Sequence, residues 1–406
     1  MFTLSAPKLQ AITEELREIL DGEFISPIED GSISVLPGDT QQVSLILQYA
    51  SRRRLTVDPR GGGTKLRWAN GSVPHIRLGL SRLNRLLDHP WQDLTCTVQA
   101  GCTWTSLQQY LARHEQFIAL DPLFADRATV GGILATNDSG SLRQRYGGLR
   151  DLVIGMTLVL SDGTIARTGG KVVKNVAGYD LSKLLTGSMG TLAVITEANF
   201  RLHALPQHTR VFTIGAPDAT CLSRLIHILR ESHLLMQALQ IRRNKSEAHL
   251  DISLTSHPAA QQDELLSQMA QAEGLVLQEI NEASCFIRDR PHAEGSTFVR
   301  ISTLPVDVCA FVDQLQHVAQ KIDIDSVSQA IGLHDVMFRG SGDEITKVIH
   351  NLSSGPSISV VMLEPGPDVD TQAFRVPAPV MSVMRAVKRS FDPDDILGPG
   401  KFFVTQ

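Results

Sequence analysis

Cysteine is scarce in this chain, and the few present are poorly spaced for metal chemistry. Among 406 residues there are 5 cysteines, Cys96, Cys102, Cys221, Cys285 and Cys309, with no C-x-x-C pair. Iron–sulfur clusters and structural zinc need closely set thiolates, so the chain offers neither on its own. An odd count without regular spacing also lacks a disulfide framework and suits a reducing compartment. Charge of one sign is missing too. Against 38 Lys and Arg stand 43 Asp and Glu, a formal net charge of -5 that gives nucleic acid or an anionic membrane little to bind. Long apolar runs are absent: the longest, Leu152–Leu160, is well short of the roughly 20 residues that cross a bilayer. The N-terminus sets Lys8 and Glu14 among apolar residues at helical spacing, which reads as an amphipathic opening helix and not as a signal peptide. The expected location is cytoplasmic, with any membrane association supplied through partners.

What is present is ordinary globular composition, 42% hydrophobic and 20% charged, long enough for about two or three domains. Helix and strand patterns alternate throughout, so the class is mixed α and β. Asp39 followed by Gln42 resembles a capping box, with Val43, Ile46, Leu47 and Ala50 at helical spacing behind it. Leu55–Asp58 reads as a strand entering the loop Pro59–Lys65. Leu94, Cys96, Val98 and Ala100 alternate with polar residues as a half-buried strand, and Leu107, Tyr110 and Leu111 mark a helix after it. Leu152–Leu160 and Thr164–Thr168 flank the hairpin signal Asp162-Gly163. A long strand over Thr191–Leu205 ends at Pro206, where a domain boundary is placed. Beyond it, strands at 211–214, 234–241, 249–254, 275–280, 297–303 and 358–363 are interleaved with helices near 222–229, 259–272, 306–321 and 378–390. That rhythm is a split βαβ, ferredoxin-like sheet with additions, and no sequence repeat of fixed period accompanies it.

Three stretches carry chemistry. Arg60-Gly61-Gly62-Gly63-Thr64-Lys65 directly follows a strand. Successive glycines open backbone conformations closed to other residues, and consecutive N–H groups in such a turn make a concave anion site. Neither the P-loop pattern nor the Rossmann G-x-G-x-x-G is present. The second stretch runs from Asp121-Pro122 through Ala128-Thr129-Val130-Gly131-Gly132 to Asn137, Ser139 and Gly140, then Arg145-Tyr146-Gly147. Its small residues let a ligand lie along the backbone, while Thr129, Asn137 and Ser139 offer hydrogen bonds and Arg145 offers charge for a phosphate. The third is Lys174-Asn-Val-Ala-Gly-Tyr-Asp180 with Gly187-Ser-Met-Gly190 after it, a polar loop, short helix and glycine turn.

In this order the stretches resemble the FAD-binding domain of the p-cresol methylhydroxylase and vanillyl-alcohol oxidase type, over residues 25–206. The resemblance implies an α+β fold: a helix over 1–25, a two-part FAD-binding domain over 26–206, and a ferredoxin-like α/β domain over 207–406. It implies FAD, with the pyrophosphate on Arg60, Gly61, Gly62, Gly63, Thr64 and Lys65 and on Thr129, Val130, Gly131 and Gly132. Pro122, Asn137, Ser139, Gly140, Arg145, Tyr146 and Gly147 would line the rest, and Gly190 and Ile195 the adenosine end. Some relatives attach flavin through a histidine beside the first glycine loop; Gly63-Thr64-Lys65 stands there, so the FAD is expected to be non-covalent. An aspartate at Gly131 is expected to repel the pyrophosphate and strip the cofactor.

The tail Phe391-Asp-Pro-Asp-Asp-Ile-Leu-Gly-Pro-Gly400-Lys401 resembles the D-P-x-x-I-L-N-P-G-K ending of 2-hydroxyacid dehydrogenases, with Gly398 in place of Asn. The catalytic members of that group carry a His- and Gly-Asp-Gly-Asn-rich stretch that helps hold a metal and the hydroxyacid. Here Gly342-Asp343-Glu344 is the nearest trace, and His292, His334 and His350 stand apart. Arg242, Arg243, Arg300, Arg339 and Arg375 could meet a substrate carboxylate, but spacing selects none of them, and a solvated surface position is the better account of each. No catalytic residue and no metal ligand is named. The second half is similar to the FAD-binding E-type subunits of glycolate oxidases. That implies oxidation of a small 2-hydroxy acid in a complex with a D-type flavoprotein subunit and an iron–sulfur subunit. A stand-alone D-lactate or other 2-hydroxyacid dehydrogenase, and a flavin-containing relay or structural subunit, are the alternatives.

Overall fold

The computed structural model describes residues 6–69, 71–170, 180–243, 246–255, 259–281, 295–318, 320–353, 357–370 and 378–401. The chain forms two compact units. The first comprises Met1–Gly140, Gly147–Leu205 and Val376–Gln406, and the second Ser141–Tyr146 and Pro206–Arg375. One crossing falls at Pro206, where the sequence placed its boundary. Two segments depart from the expected division: Val376–Gln406 joins the first unit, and Ser141–Tyr146 joins the second. Backbone bonding explains the first case. Val57 N–H donates to Ile396 O at 2.7 Å and Gly398 N–H to Val57 O at 2.9 Å, so the tail adds a parallel bridge beside a strand of the N-terminal sheet.

That N-terminal part opens with α1 (Ala6–Leu16) and the antiparallel pair β1 (Ile25–Pro27) and β2 (Ile33–Val35). Parallel neighbours need a crossover, and α2 (Thr40–Arg53) provides one on the way to β3 (Val57–Arg60). β4 (Ile76–Gly79) then inserts between β2 and β3, parallel to both. The Asp39 carboxylate caps α2 by accepting from Gln42 N–H at 2.8 Å. The Gln42 side chain returns to Gly38 N–H at 2.7 Å, one residue earlier than a capping box would place it. Val43, Ile46, Leu47 and Ala50 are fully buried.

An antiparallel sheet follows, ordered β5 (Leu86–Asp88), β6 (Thr95–Gln99), β10 (Val194–Arg201), β8 (Val153–Val159), β9 (Ile165–Gly169). Leu94 was expected inside β6 but turns at φ 53° just before it. The long strand expected over 191–205 is two strands: β10, and β11 (His203–Ala204), which pairs with β7 (Gln116–Phe117). The Asp162-Gly163 hairpin lies so close to α2 that a Cβ on Gly163, at φ +86°, would come within 2.6 Å of Ser44 O. α3 (Trp104–Ala112) and α4 (Val130–Thr136) share one apolar cluster with both sheets, through Leu107, Leu111, Ile133 and Leu134.

The second unit is built on one antiparallel sheet of eight strands among the described residues. β12 (Thr209–Ala216), helix Ser223–Glu231, β13 (Met236–Arg243), β14 (Ala248–Thr255), helix Ala259–Ala272 and β15 (Gln278–Ile280) run βαββαβ, with sheet order β15-β12-β14-β13. β16 (Thr297–Ser302), helix Val308–Val318, β17 (Asp323–Gln329), β18 (Leu333–Arg339), helix Gly342–Ser353 and β19 (Ser359–Glu364) repeat the path, with order β17-β18-β16-β19. Each is a ferredoxin-like unit. They join edge to edge where β13 meets β17, from Gln240↔Gln329 to Arg243↔Ser326. The arrangement expected once therefore occurs twice. Each copy has its own apolar cluster, one around Leu225, Leu229, Ile241 and Leu250, the other around Phe311, Ile324, Phe338 and Ile349. β17, β18 and helix Gly342–Ser353 went unread in the sequence. Gly342-Asp343-Glu344 is simply the first turn of that helix, where Glu344 pairs with Lys347 at 2.9 Å.

His334 is fully buried on β18, between Thr303 Oγ1 at 2.9 Å and Ser328 Oγ at 2.8 Å and beside the Phe311 ring. Burial pushes its pKa down to about 3. An unfolded chain takes up this proton below about 6.5, so stability is lost as pH falls from there, at about 1.4 kcal/mol per unit. The expected outcome is a urea midpoint that drops between pH 7 and pH 5, with His334→Gln removing part of that drop. An identical acid slope in the variant would show that another group titrates.

Candidate cofactor site

β3 ends at Arg60, and the chain turns through three glycines. A Cβ on Gly61 would lie 2.1 Å from Thr129 Oγ1, and one on Gly62 1.8 Å from the Arg127 carbonyl oxygen. Any side chain at either position would push two loops apart. Gly63 is required for a different reason, its φ of +71°. The loop 60–65 therefore sits against Arg127–Thr129, where Thr129 caps α4 by accepting from Gly132 N–H. The far end of α4 is closed by the glycine turn 187–190: Gly187 N–H donates to Leu134 O at 2.9 Å and Met189 N–H to Ala135 O at 2.8 Å.

An open cleft of about 530 Å³ results, with Pro59–Leu66 on one wall, Gly132, Ala135 and Thr136 on the other, and Met189 and Lys401 beside them. The N–H groups of Gly61, Gly62, Gly63 and Thr64 donate to no acceptor among the described residues. Successive free N–H groups of this kind favour an anion. The cations are arranged around two carboxylates. Asp58, 5% exposed, accepts from Arg60 Nε at 2.9 Å and from Lys401 Nζ at 2.7 Å. Asp138, fully buried, lies 3.2 Å from Lys65 Nζ and accepts from Leu123 N–H at 2.7 Å. Lys65 was expected on a pyrophosphate, but its ammonium is drawn into this buried pair and ties the two loops together. The residue still lines the cleft.

The remaining expected residues divide. Gly190, at φ +72°, adjoins Pro59 at the cleft. Asn137 is the left-handed cap of α4, at φ 49°. Val130 and Gly131 are buried, and a Cβ on Gly131 would lie 2.9 Å from Ala100 Cβ, so that glycine serves packing beneath the cleft. Pro122, Ser139 and Gly140 are buried, Ile195 belongs to the apolar cluster, and Gly147 turns at φ +85° beside Asp151. Arg145 and Tyr146 lie in the second unit, where Arg145 donates to Thr255 Oγ1 at 2.6 Å and Tyr146 Oη meets Gln237 Nε2 at 3.5 Å. Of the third motif, 174–179 lies outside the described residues, and Asp180 caps helix Leu181–Leu185.

Asp58, Ala135, Thr136, Asp138, Met189 and Lys401 were missed. Lys401 did carry a signal, since it closes the tail motif. Four of the arginines weighed for a substrate carboxylate already have partners. Arg300 pairs with Asp335 at 2.7 Å, Arg339 with Asp325 at 2.7 Å, Arg242 with the buried Asp251, and Arg243 donates to Pro217 O at 2.7 Å. Arg375 and His292 fall outside the described residues. Among the described residues no three His, Cys, Asp or Glu side chains gather as a metal ion would need. No helix of the described residues is long and apolar enough to cross a membrane.

Comparison with known proteins accords with this geometry. Residues 32–169 match the FAD binding domain family. The chain is 26% identical to the mitochondrial D-lactate dehydrogenase (cytochrome) of Arabidopsis thaliana, across 93% of this chain and 74% of that protein. It is 38% identical to glycolate oxidase subunit GlcD of Bacillus subtilis (strain 168), across 43% of this chain and only 37% of that protein. The structure of p-cresol methylhydroxylase with substrate bound superposes with a TM-score of 0.75 at 14% identity, covering 98% of this chain and 97% of that one, a likeness of fold. The cleft suits FAD on its own terms: two glycines pressed against the facing loop, a run of free N–H groups and the Arg60 guanidinium fit the diphosphate of such a ligand.

These contacts revise which glycine an acidic substitution should test. Gly131→Asp is expected to misfold the unit, because its side chain would enter Ala100. Gly132 lines the cleft and has only Thr129 Oγ1 near, at 3.3 Å. Gly132→Asp should fold and purify with its flavin absorbance largely lost, through repulsion of a like charge. A yellow Gly132→Asp protein at full stoichiometry would place the diphosphate elsewhere.

Proposed function

We propose that this chain, which carries an FAD-binding domain of the p-cresol methylhydroxylase type, is the FAD-binding subunit of a complex that oxidises glycolate to glyoxylate. The observation that carries the reading is the cleft between Arg60–Lys65 and α4 together with the family match over those residues. Bound FAD supplies the hydride acceptor and the redox couple for onward electron transfer. The chain's part is to hold the diphosphate on Gly61–Thr64 N–H groups and on Arg60, with Asp58 orienting the guanidinium through Nε. The loop holds no histidine, and the flavin is non-covalent in this reading.

The 2-hydroxy acid class is supported by relatives named for D-lactate and glycolate oxidation. The subunit role draws on how identity falls with span, from 38% over 43% of the chain to 26% over 93% of it. Similarity to catalytic dehydrogenases is thus concentrated in part of the chain. Partners in this reading are a D-type flavoprotein and an iron–sulfur subunit, which take electrons that this chain has no cluster ligands to carry. A stand-alone D-lactate dehydrogenase is the second reading, favoured by the 93% span of the plant match.

The deciding measurement is anaerobic flavin reduction with glycolate, D-lactate and D-2-hydroxyglutarate, on the isolated chain and on material co-purified from its native host. Glycolate bleaching in a co-purified complex is the expected result. A monomer that turns over D-lactate alone with a soluble dye would sink the subunit reading. Acid precipitation should release all the flavin, and yellow colour left in the pellet would show a covalent bond instead.

A further inference from the structure

The cofactor reading leaves the C-terminal tail motif without a purpose. In the structure it is a latch. Lys388, 7% exposed at the side chain, uses its three N–H bonds on Thr191 O at 2.9 Å, Leu397 O at 2.8 Å and the Asp392 carboxylate. Asp392 accepts in turn from Ile396 N–H at 3.1 Å and Leu397 N–H at 2.7 Å. A buried ion pair with every donor answered holds one backbone path. That path continues beside β3, with Leu397 bridged to Val57, and then along residues 71 and 72, where Ser72 N–H donates to Pro399 O at 2.8 Å. The approach is tight: a Cβ on Gly71 would lie 2.7 Å from Pro399 O, and one on Gly400 2.7 Å from Ser72 Oγ. Gly398 and Gly400 turn at φ +58° and +74°. The Asn-for-Gly difference at Gly398 is explained by this backbone, since both residues accept the left-handed region.

All of this delivers a single side chain. Lys401 emerges beside the glycine loop and lines the cleft. Its ammonium, 12% exposed at the side chain, meets Asp58 Oδ1 at 2.7 Å and Met189 O at 3.3 Å. An ammonium has three hydrogens, so one donor remains for a ligand. Asp58 holds Arg60 by its other oxygen, and the two terminal nitrogens of Arg60 meet no acceptor among the described residues. Since Lys65 and Asp138 cancel each other, Arg60 and Lys401 against Asp58 leave the cleft net positive. Asp58 thus preorients two cations, one from each end of the chain, toward the same space.

We propose that Lys401 is a cofactor-binding residue that contacts the diphosphate of FAD together with Arg60, and that the C-terminal tail exists to place it there. The inference rests on the FAD reading of the cleft. Its test compares apoprotein of the wild type, Lys401→Ala and Lys401→Arg for binding of FAD, ADP and riboflavin by titration calorimetry, with apoprotein melting as a fold control. Lys401→Ala is expected to weaken FAD and ADP by about tenfold or more, which is ~1.4 kcal/mol. Riboflavin affinity should stay at the wild-type value, apoprotein melting should remain one cooperative transition at a lower midpoint because Asp58 loses a buried partner, and Lys401→Arg should recover most of both losses. Wild-type affinity for FAD and ADP in Lys401→Ala would overturn the role of Lys401 alone. So would an equal loss for riboflavin, which has no diphosphate. Failure of the wild type to bind either FAD or ADP would overturn the cofactor reading beneath it.

Discussion

The close backbone contact between Gly61-Gly62 and Arg127–Thr129 is the constraint on which the first unit depends. At 1.8 to 2.1 Å from where a Cβ would stand, no other residue type fits. The contact sets the loop after β3 at a fixed distance from α4, and the space between them is the cleft. Its N–H groups stay free because the glycines spend their closeness on packing and leave their donors turned outward. Thr129 links both tasks, since its hydroxyl fills the gap over Gly61 and also caps α4.

Two buried carboxylates then keep that geometry. Asp138 holds Lys65 under the loop, and Asp58 holds Arg60 and Lys401 at its rim. Removing a charge from water is costly, and such pairs persist where each oxygen and each N–H finds a partner. The two carboxylates differ in what they leave over. Lys65 is spent on structure, while Arg60 and Lys401 keep donors in hand. This difference separates a lysine that holds a loop from one that keeps a donor for the cleft, although both close a glycine-rich stretch of the sequence.

The second unit solves a different problem. Two ferredoxin-like halves pair through β13 and β17, which hides two sheet edges that would otherwise be open. Its arginines and carboxylates are matched across neighbouring strands, as in Arg300 with Asp335 on β16 and β18. The fold-level likeness covers nearly the whole chain, while the 38% identity to glycolate oxidase subunit GlcD covers 43% of it.

Local chemistry alone determined much of this protein. The triple glycine, the T-V-G-G run and the cap of α2 are legible because turn and cap preferences act over a few residues. The ferredoxin rhythm was legible for the same reason, through strand and helix periods. The duplication was not, because what repeats is the path of the chain and the side on which apolar residues fall, and many sequences satisfy that. Which lysine is buried and which faces the cleft could not be read either. Lys65 lies within the motif and Lys401 lies 343 positions from its partner Asp58. Only the folded backbone brings those charges together, since an ion pair depends on distance in space and carries no trace of itself along the chain.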